Sequence, residues 1–327
     1  MKRFACPSCD HEVFFDSLTC LGCGIDLAYD PDSARVEALD GRPGCDNRAE
    51  IGCNWIARKP EEGAFCASCA LTETIPDLTV PGNDLRWRKI EAAKRRLIYS
   101  LLRLDLPLVS RAGNALRFRL LADEKMPDGR VQRVLTGHDD GLVTLNVSEA
   151  DDDRRERMRT EMGERYRTLL GHCRHEVGHF YFDVLVAEGG RKAEFTALFG
   201  DPDQDYQAAL NRHYAEGPPE GWEDRHVSAY ATTHPWEDFA ETFAHWLHMT
   251  DGLETASAYG LVSAPDPYAR GPVEPLAQAW VPLAIAMNAM SRALGQPDLY
   301  PFVIAPPVVE KLGFIHDLMA DRLRSAA

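Results

Sequence analysis

Residues 174–183 read RHEVGHFYFD and contain two histidines four positions apart, His175 and His179, with Glu176 directly after the first. In an α-helix, residues four apart lie on one face, one turn above the other. The two imidazoles can therefore bind one metal ion from the same side. Glu176 would lie beside such a metal, which is the position of a general base that activates a water molecule. The stretch predicts the helix of a catalytic zinc site.

A second helix is predicted in residues 228–249, which read SAYATTHPWEDFAETFAHWLHM, because Pro235 suits a first helical turn. Glu237 and Glu241 are four apart on this helix, and either could complete a site of two imidazoles and one carboxylate. Asp183, on the first helix, would have to curl back to reach the metal. We prefer Glu237 as the ligand and Glu241 as an outer carboxylate that accepts the N–H of a ligand imidazole. Helical periodicity alone leaves the order of these two open.

The cysteines are concentrated at the N-terminus, with eight of nine in the first 69 residues and the ninth at Cys173. Such clustering favours metal sites in a reducing compartment over disulfides. Two closed four-thiolate sites are predicted, each holding a structural zinc ion. Their ligands are Cys6, Cys9, Cys20 and Cys23 in the first site and Cys45, Cys53, Cys66 and Cys69 in the second. Pairs from the two sets could also interleave. In either arrangement, zinc rather than a hydrophobic core is expected to hold this region together.

The composition excludes several classes of protein. The 327 residues carry a formal net charge of −15, whereas a nucleic-acid-binding protein needs a surplus of Lys and Arg. The N-terminus contains no apolar stretch that would suit a signal peptide, and no run of 18 apolar residues occurs. We therefore predict a cytoplasmic protein that does not bind nucleic acid or membranes.

The predicted fold class is α+β. Residues 1–74 form a double zinc-ribbon region, the Pro- and Gly-containing residues 75–83 a linker, and residues 84–327 a mostly helical domain with a small sheet. Within that domain, residues 148–188 read as one long helix that carries the H-E-x-x-H motif. Further elements are predicted as a helix from Asp84, strands within residues 115–147, and late helices at Val273–Leu294 and Pro306–Arg324.

The two motifs together resemble known zinc peptidases. The run Tyr230-x6-Glu237-Asp-Phe-Ala-Glu241 is similar to a Y-x6-E-x-F-A-E run in the catalytic domain of the anthrax lethal factor type. That domain is a gluzincin, a zincin whose third zinc ligand is a glutamate. The whole chain also resembles a bacterial family of zinc metallopeptidases with an N-terminal zinc ribbon, the Mx-type peptidases. The resemblance implies a zincin-like fold with Glu237 as ligand and Tyr230 as hydrogen-bond donor to the oxyanion. Metzincins do not match, because they require Gly and His where Phe182 and Leu185 stand.

The predicted function is zinc-dependent hydrolysis of peptide or protein substrates, with one catalytic and two structural zinc ions. Zinc would be held by His175, His179 and Glu237, and Glu176 would act as general base. One alternative is that the ribbons dock a protein partner and the zincin domain is a gated or inactive scaffold. Retention of Glu176 argues against an inactive scaffold, because such a scaffold has no need of a base. A third hypothesis is a zinc amidase that acts on a non-peptide amide or on one modified protein.

Overall fold

A computed structural model describes residues 1–58, 64–126, 128–161, 168–269 and 271–325. It comprises two compact units, the first formed by Met1–Arg103 with Ala115–Arg155 and the second by Leu104–Asn114 with Glu156–Ala327. The fold is α+β, with a cysteine-rich zinc-ribbon region followed by a mostly helical part, which confirms the predicted class. The predicted domain boundaries at residues 74 and 84 stay a prediction. In the described part of the chain, no helix is both long and apolar enough to cross a membrane.

The N-terminal part of the first unit contains two short antiparallel hairpins. Their strands are β1 (Phe4–Ala5), β2 (Glu12–Val13), β3 (Leu27–Asp30) and β4 (Arg35–Ala38), and helix α1 (Arg48–Ile51) follows. Buried aromatic rings pack between these elements. The ring centroid of Tyr29 lies 5.1 Å from those of both Phe15 and Trp55, and Tyr99 lies 5.3 Å from Phe15. These rings form a hydrophobic core. The expectation that zinc rather than a core holds this region together is therefore wrong.

A four-stranded sheet completes the first unit, in the order β5 (Thr72–Thr74), β6 (Arg117–Leu121), β10 (Leu142–Asn146) and β9 (Gly137–Asp139). The first three strands run parallel, and β9 is antiparallel to β10. A separate hairpin pairs β7 (Glu124–Lys125) with β8 (Val131–Gln132). Helix α2 (Asn83–Arg103) begins one residue before the predicted start and buries Ile90, Leu97 and Leu101.

The predicted single helix over residues 148–188 is wrong, because the chain forms several shorter helices there. A 3₁₀ turn at Val147–Ala150 precedes α3 (Asp152–Glu161), and residues 162–167 lie outside the described part. Helix α4 (Leu169–Tyr181) follows. Its N-cap residue is Thr168, whose side chain accepts a hydrogen bond from the Gly171 N–H at 3.0 Å. An N-cap of this kind starts a new helix. The H-E-x-x-H motif therefore lies in the second half of a 13-residue helix.

The second unit is built around the packing of α4 against α7 (Pro235–Ala258). A π-helical turn, Phe182–Ala187, extends α4. Helices α5 (Lys192–Phe199) and α6 (Tyr206–Glu216) follow, and α8 (Glu274–Ala293) and α9 (Pro306–Ser325) confirm the two late helices. Apolar residues from several helices meet in the core, among them Phe180, Phe195, Phe239, Phe243 and Trp246.

Candidate metal centres

The α4–α7 pair brings the predicted ligands of the catalytic zinc together. The Oε2 atom of Glu237 lies 3.0 Å from Nε2 of His175 and 3.4 Å from Nε2 of His179. All three side chains are buried, and their ligand atoms lie within 4.8 Å of one another. Neither Glu241 nor Asp183, the two alternatives for the third ligand, belongs to this group.

These separations fit a zinc ion. Donor atoms at about 2.0–2.1 Å from one zinc, at tetrahedral angles, lie about 3.3–3.4 Å from one another. The two measured separations, 3.0 and 3.4 Å, are close to that value. Two imidazole nitrogens and one carboxylate oxygen are also a donor set that zinc prefers, and they leave a fourth corner for a water molecule.

Glu241 lies outside the ligand group and contacts one of its histidines. Its Oε1 atom lies 2.7 Å from Nδ1 of His175, and Ser228 donates a hydrogen bond to its Oε2 at 2.5 Å. Burial is the largest influence on Glu241 and opposes its ionisation, but the hydrogen bonds from His175 and Ser228 and the charges of His175 and His245 together outweigh it and lower the pKa to about 2. An ionised carboxylate can only accept, so Nδ1 of His175 carries the proton. The Nε2 atom of His175, which faces Glu237, is then the ring nitrogen that can bind a metal.

The predicted general base, Glu176, is buried beside the ligand group and has a partner that the sequence analysis missed. The Nε2 atom of His172 lies 3.1 Å from Oε1 of Glu176, one helical turn away. Burial is the largest influence on Glu176 and opposes its ionisation, but this hydrogen bond and the charges of His172, His175 and His179 together outweigh it and lower the pKa. Glu176 is therefore ionised near neutral pH and can accept a proton. The i, i+4 spacing of His172 and Glu176 was a signal available in the sequence.

Two tyrosines stand next to the ligand group. The ring centroid of Tyr230, which lies in a 3₁₀ turn before α7, is 5.8 Å from that of His175. Tyr206, which the sequence analysis missed, donates a hydrogen bond from its hydroxyl to Oε1 of Glu237 at 2.6 Å. Burial, and after it the charge of Glu237, raises the pKa of both hydroxyls. Both therefore keep their protons and can act as donors.

The eight N-terminal cysteines form two separate groups that do not interleave. In the first group, the Sγ atoms of Cys6 and Cys23 are 3.7 Å apart, and those of Cys9 and Cys20 are 3.6 Å apart. In the second, Cys53 lies 3.6 Å from Cys66 and 3.7 Å from Cys69. Four thiolates at about 2.3 Å from one zinc would be about 3.8 Å apart. None of the nine cysteines, all of which lie in the described residues, forms a disulfide.

Gly178, between the two histidine ligands, allows α4 and α7 to approach closely. A Cβ atom at this position would lie 2.9 Å from Cα of Ala240 and 3.2 Å from its carbonyl oxygen. Both are backbone atoms of α7, so a rotamer change cannot relieve the clash. The position of Glu237 relative to the two histidines thus depends on this glycine.

We expect Gly178→Ala to destabilise the protein and to weaken zinc binding at the His175 site. Because the clash is with backbone atoms, the overpacking cost should lie toward the upper end of its usual range of about 1–3 kcal/mol, above the gain of about 1 kcal/mol in helix propensity. Thermal unfolding and zinc content are the measurements. Gly271→Ala is the matched control, because a Cβ there meets no atom within 4 Å. If both variants melt and bind zinc like the wild type, the close approach is not required.

Comparison with known protein families supports the class of protein that this geometry indicates, a zinc-binding protein with a metallopeptidase motif. Residues 83–318 match the family described as "putative zinc-binding metallo-peptidase", and residues 3–80 match a zinc-ribbon domain. The chain belongs to this metallopeptidase family, which confirms the resemblance to the Mx-type peptidases. Uncharacterized proteins of Mycobacterium bovis and Mycobacterium tuberculosis are each 42% identical over 337 residues, which cover 98% of this chain and 95% of the relative. No solved structure matches the chain.

Proposed function

We propose that this protein is a zinc-dependent peptidase of the gluzincin type that hydrolyses peptide bonds in peptide or protein substrates. The observation that carries the proposal is the convergence of His175, His179 and Glu237, with the ionised Glu176 beside them. Membership of a zinc-binding metallopeptidase family supports the same reaction class.

A zinc ion bound at this site would supply Lewis acidity, which lowers the pKa of a bound water toward about 7 and polarises a substrate carbonyl. The chain supplies the proton transfers. Glu176 accepts a proton from the attacking water and later delivers it to the leaving amine, which makes it general base and then general acid. The hydrogen bond from His172 holds one carboxylate oxygen of Glu176, so that the other can face the water.

Tyr230 is the proposed donor of a hydrogen bond to the oxyanion that forms on the substrate. Two observations support this role. Its ring lies beside His175, and its raised pKa keeps the hydroxyl protonated. A donor that is already in place where charge develops lowers the barrier without reorganisation.

The two cysteine groups are proposed to hold structural zinc, because four thiolates close the coordination sphere and exclude water. Docking of a protein partner through the ribbon stays a prediction. Phe14 and Leu21, both exposed in the first ribbon, favour it. The cytoplasmic location also stays a prediction.

Zinc content per chain, measured by elemental mass spectrometry on protein purified without chelator, tests the proposal. We expect three zinc ions in the wild type and two in Glu237→Ala, because loss of one of three ligands opens the site while the cysteine groups stay closed. A wild-type value of two, unchanged in Glu237→Ala, would overturn the catalytic zinc site. The docking hypothesis would then be favoured.

A further inference from the structure

Tyr206 is the first residue of α6, at a helix start that Asp205 fixes. The side chain of Asp205 accepts a hydrogen bond from the Ala208 N–H at 2.9 Å and so caps the helix. The Tyr206 hydroxyl donates to Oε1 of Glu237 at 2.6 Å. Its ring meets His234 and Trp236 edge-on, at centroid separations of 5.4 and 5.9 Å. The ring is therefore fixed by packing, and the hydroxyl is aimed at one carboxylate oxygen.

The two oxygens of Glu237 thus have different partners. Oε2 faces the imidazoles of His175 and His179, whereas Oε1 is occupied by the Tyr206 hydroxyl. A carboxylate can bind zinc through one oxygen or through both. Binding through both would fill the fourth corner of the zinc site, which a water molecule needs.

We infer that Tyr206 is a positioning residue, which holds Glu237 so that only Oε2 faces the metal and the fourth corner stays open. This inference rests on the proposed function. Outer hydrogen bonds of this kind are a general means of orienting metal ligands, and their removal weakens metal binding about 10–100-fold. On the other side of the site, Glu241 has the corresponding role for His175, so two of the three ligands are oriented by an outer partner.

The ring packing of Tyr206 allows its hydroxyl to be removed alone. Tyr206→Phe keeps the ring contacts with His234 and Trp236. Trp236 in turn packs against His179, with ring centroids 3.7 Å apart, so this contact is also kept. The hydrogen bond to Oε1 of Glu237 is lost, together with the hydrogen bond between the Tyr206 and Tyr230 hydroxyls. Tyr230 is not part of the ligand group, so zinc affinity still reports on Glu237. Tyr259→Phe is the matched control, because Tyr259 is 43% exposed and lies at the end of α7.

The experiment measures zinc occupancy of the full chain at a series of free zinc concentrations that a chelator sets. The zinc ion that is followed is the one that Glu237→Ala loses. We expect Tyr206→Phe to bind this zinc ion about 10–100-fold more weakly than the wild type and Tyr259→Phe to match the wild type. In the cobalt(II)-substituted protein, the absorption of the His175 site is obtained by subtracting the spectrum of Glu237→Ala, which keeps only the two cysteine sites. In this difference spectrum Tyr206→Phe should weaken the visible bands, because five-coordinate cobalt absorbs less than four-coordinate cobalt.

Two results would overturn the inference. Wild-type zinc affinity and an unchanged cobalt spectrum in Tyr206→Phe would show that the hydroxyl does not position Glu237. If Tyr206→Phe lowers the melting temperature by the same amount with zinc and with excess chelator, Tyr206 acts through packing. In both cases the proposed peptidase function would stand, because Glu237→Ala would still lose its zinc. If Glu237→Ala keeps its full zinc content, both the inference and the proposed function fail.

Discussion

Glu176→Gln is expected to abolish peptide hydrolysis while the protein keeps its full zinc content. Glutamine has nearly the same shape but cannot accept the proton of the attacking water, and general acid–base groups contribute about 10²–10⁴-fold to rate. The side chain lies outside the ligand group, so zinc should be retained. Cleavage of a mixed peptide library, followed by mass spectrometry, measures the first effect and elemental analysis the second.

Glu216→Gln is the matched control for this experiment, because Glu216 is exposed at the end of α6. It should cleave the library like the wild type. Undiminished cleavage by Glu176→Gln would contradict the assigned base. A wild type that cleaves no peptide but hydrolyses small amides in a Glu176-dependent way would favour the amidase hypothesis over a peptidase.

Cys53→Ala is expected to remove one zinc ion and to unfold the surrounding ribbon. Cys53 is fully buried and lies within 3.7 Å of two other thiols of its group. Zinc binding contributes about 10–16 kcal/mol in small zinc domains, which is comparable to the whole unfolding free energy of a domain. Near-UV circular dichroism should report loosened packing of Trp55, which lies two residues further on. Limited proteolysis should produce new cuts within residues 40–72.

Cys173→Ala is the control, because Cys173 is equally buried but belongs to neither cysteine group. It should keep the full zinc content and should not expose the ribbon to protease. If Cys53→Ala instead loses its zinc but stays resistant to protease, the aromatic core alone holds this region and the second four-thiolate site is not structural. If Cys53→Ala keeps the full zinc content, Cys53 is not a ligand.

The parts of the site that the sequence could predict are those set by local geometry. His175, Glu176 and His179 follow from helical spacing, because one turn fixes which side chains share a face. The Cys-x-x-Cys pairs, Cys6/Cys9, Cys20/Cys23 and Cys66/Cys69, are local in the same sense. The choice of Glu237 over Glu241 as the metal ligand could not be made from local geometry, because both residues lie on one helical face. It came from the resemblance to gluzincins.

The features that sequence reasoning missed depend on tertiary contacts or on competition between local signals. Tyr206 reaches Glu237 across 31 positions of sequence, and no periodicity links two such residues. The break before α4 depends on capping by Thr168, a local signal that the apparently continuous helical pattern of residues 148–188 concealed. The aromatic core of the ribbon includes Tyr99 from α2, so it could not be read from the first 74 residues alone.

Because α4 supplies two donors and α7 the third, the donor set exists only when these distant segments are packed together. A ligand that binds the native state alone stabilises it by an amount that grows with its free concentration, about 2.7 kcal/mol at 100 times the dissociation constant. The resistance of the protein to heat and to proteolysis should therefore rise and fall with the free zinc concentration around it. Zinc depletion is therefore expected to shorten the lifetime of the folded protein, so that metal availability would control how much of it is present.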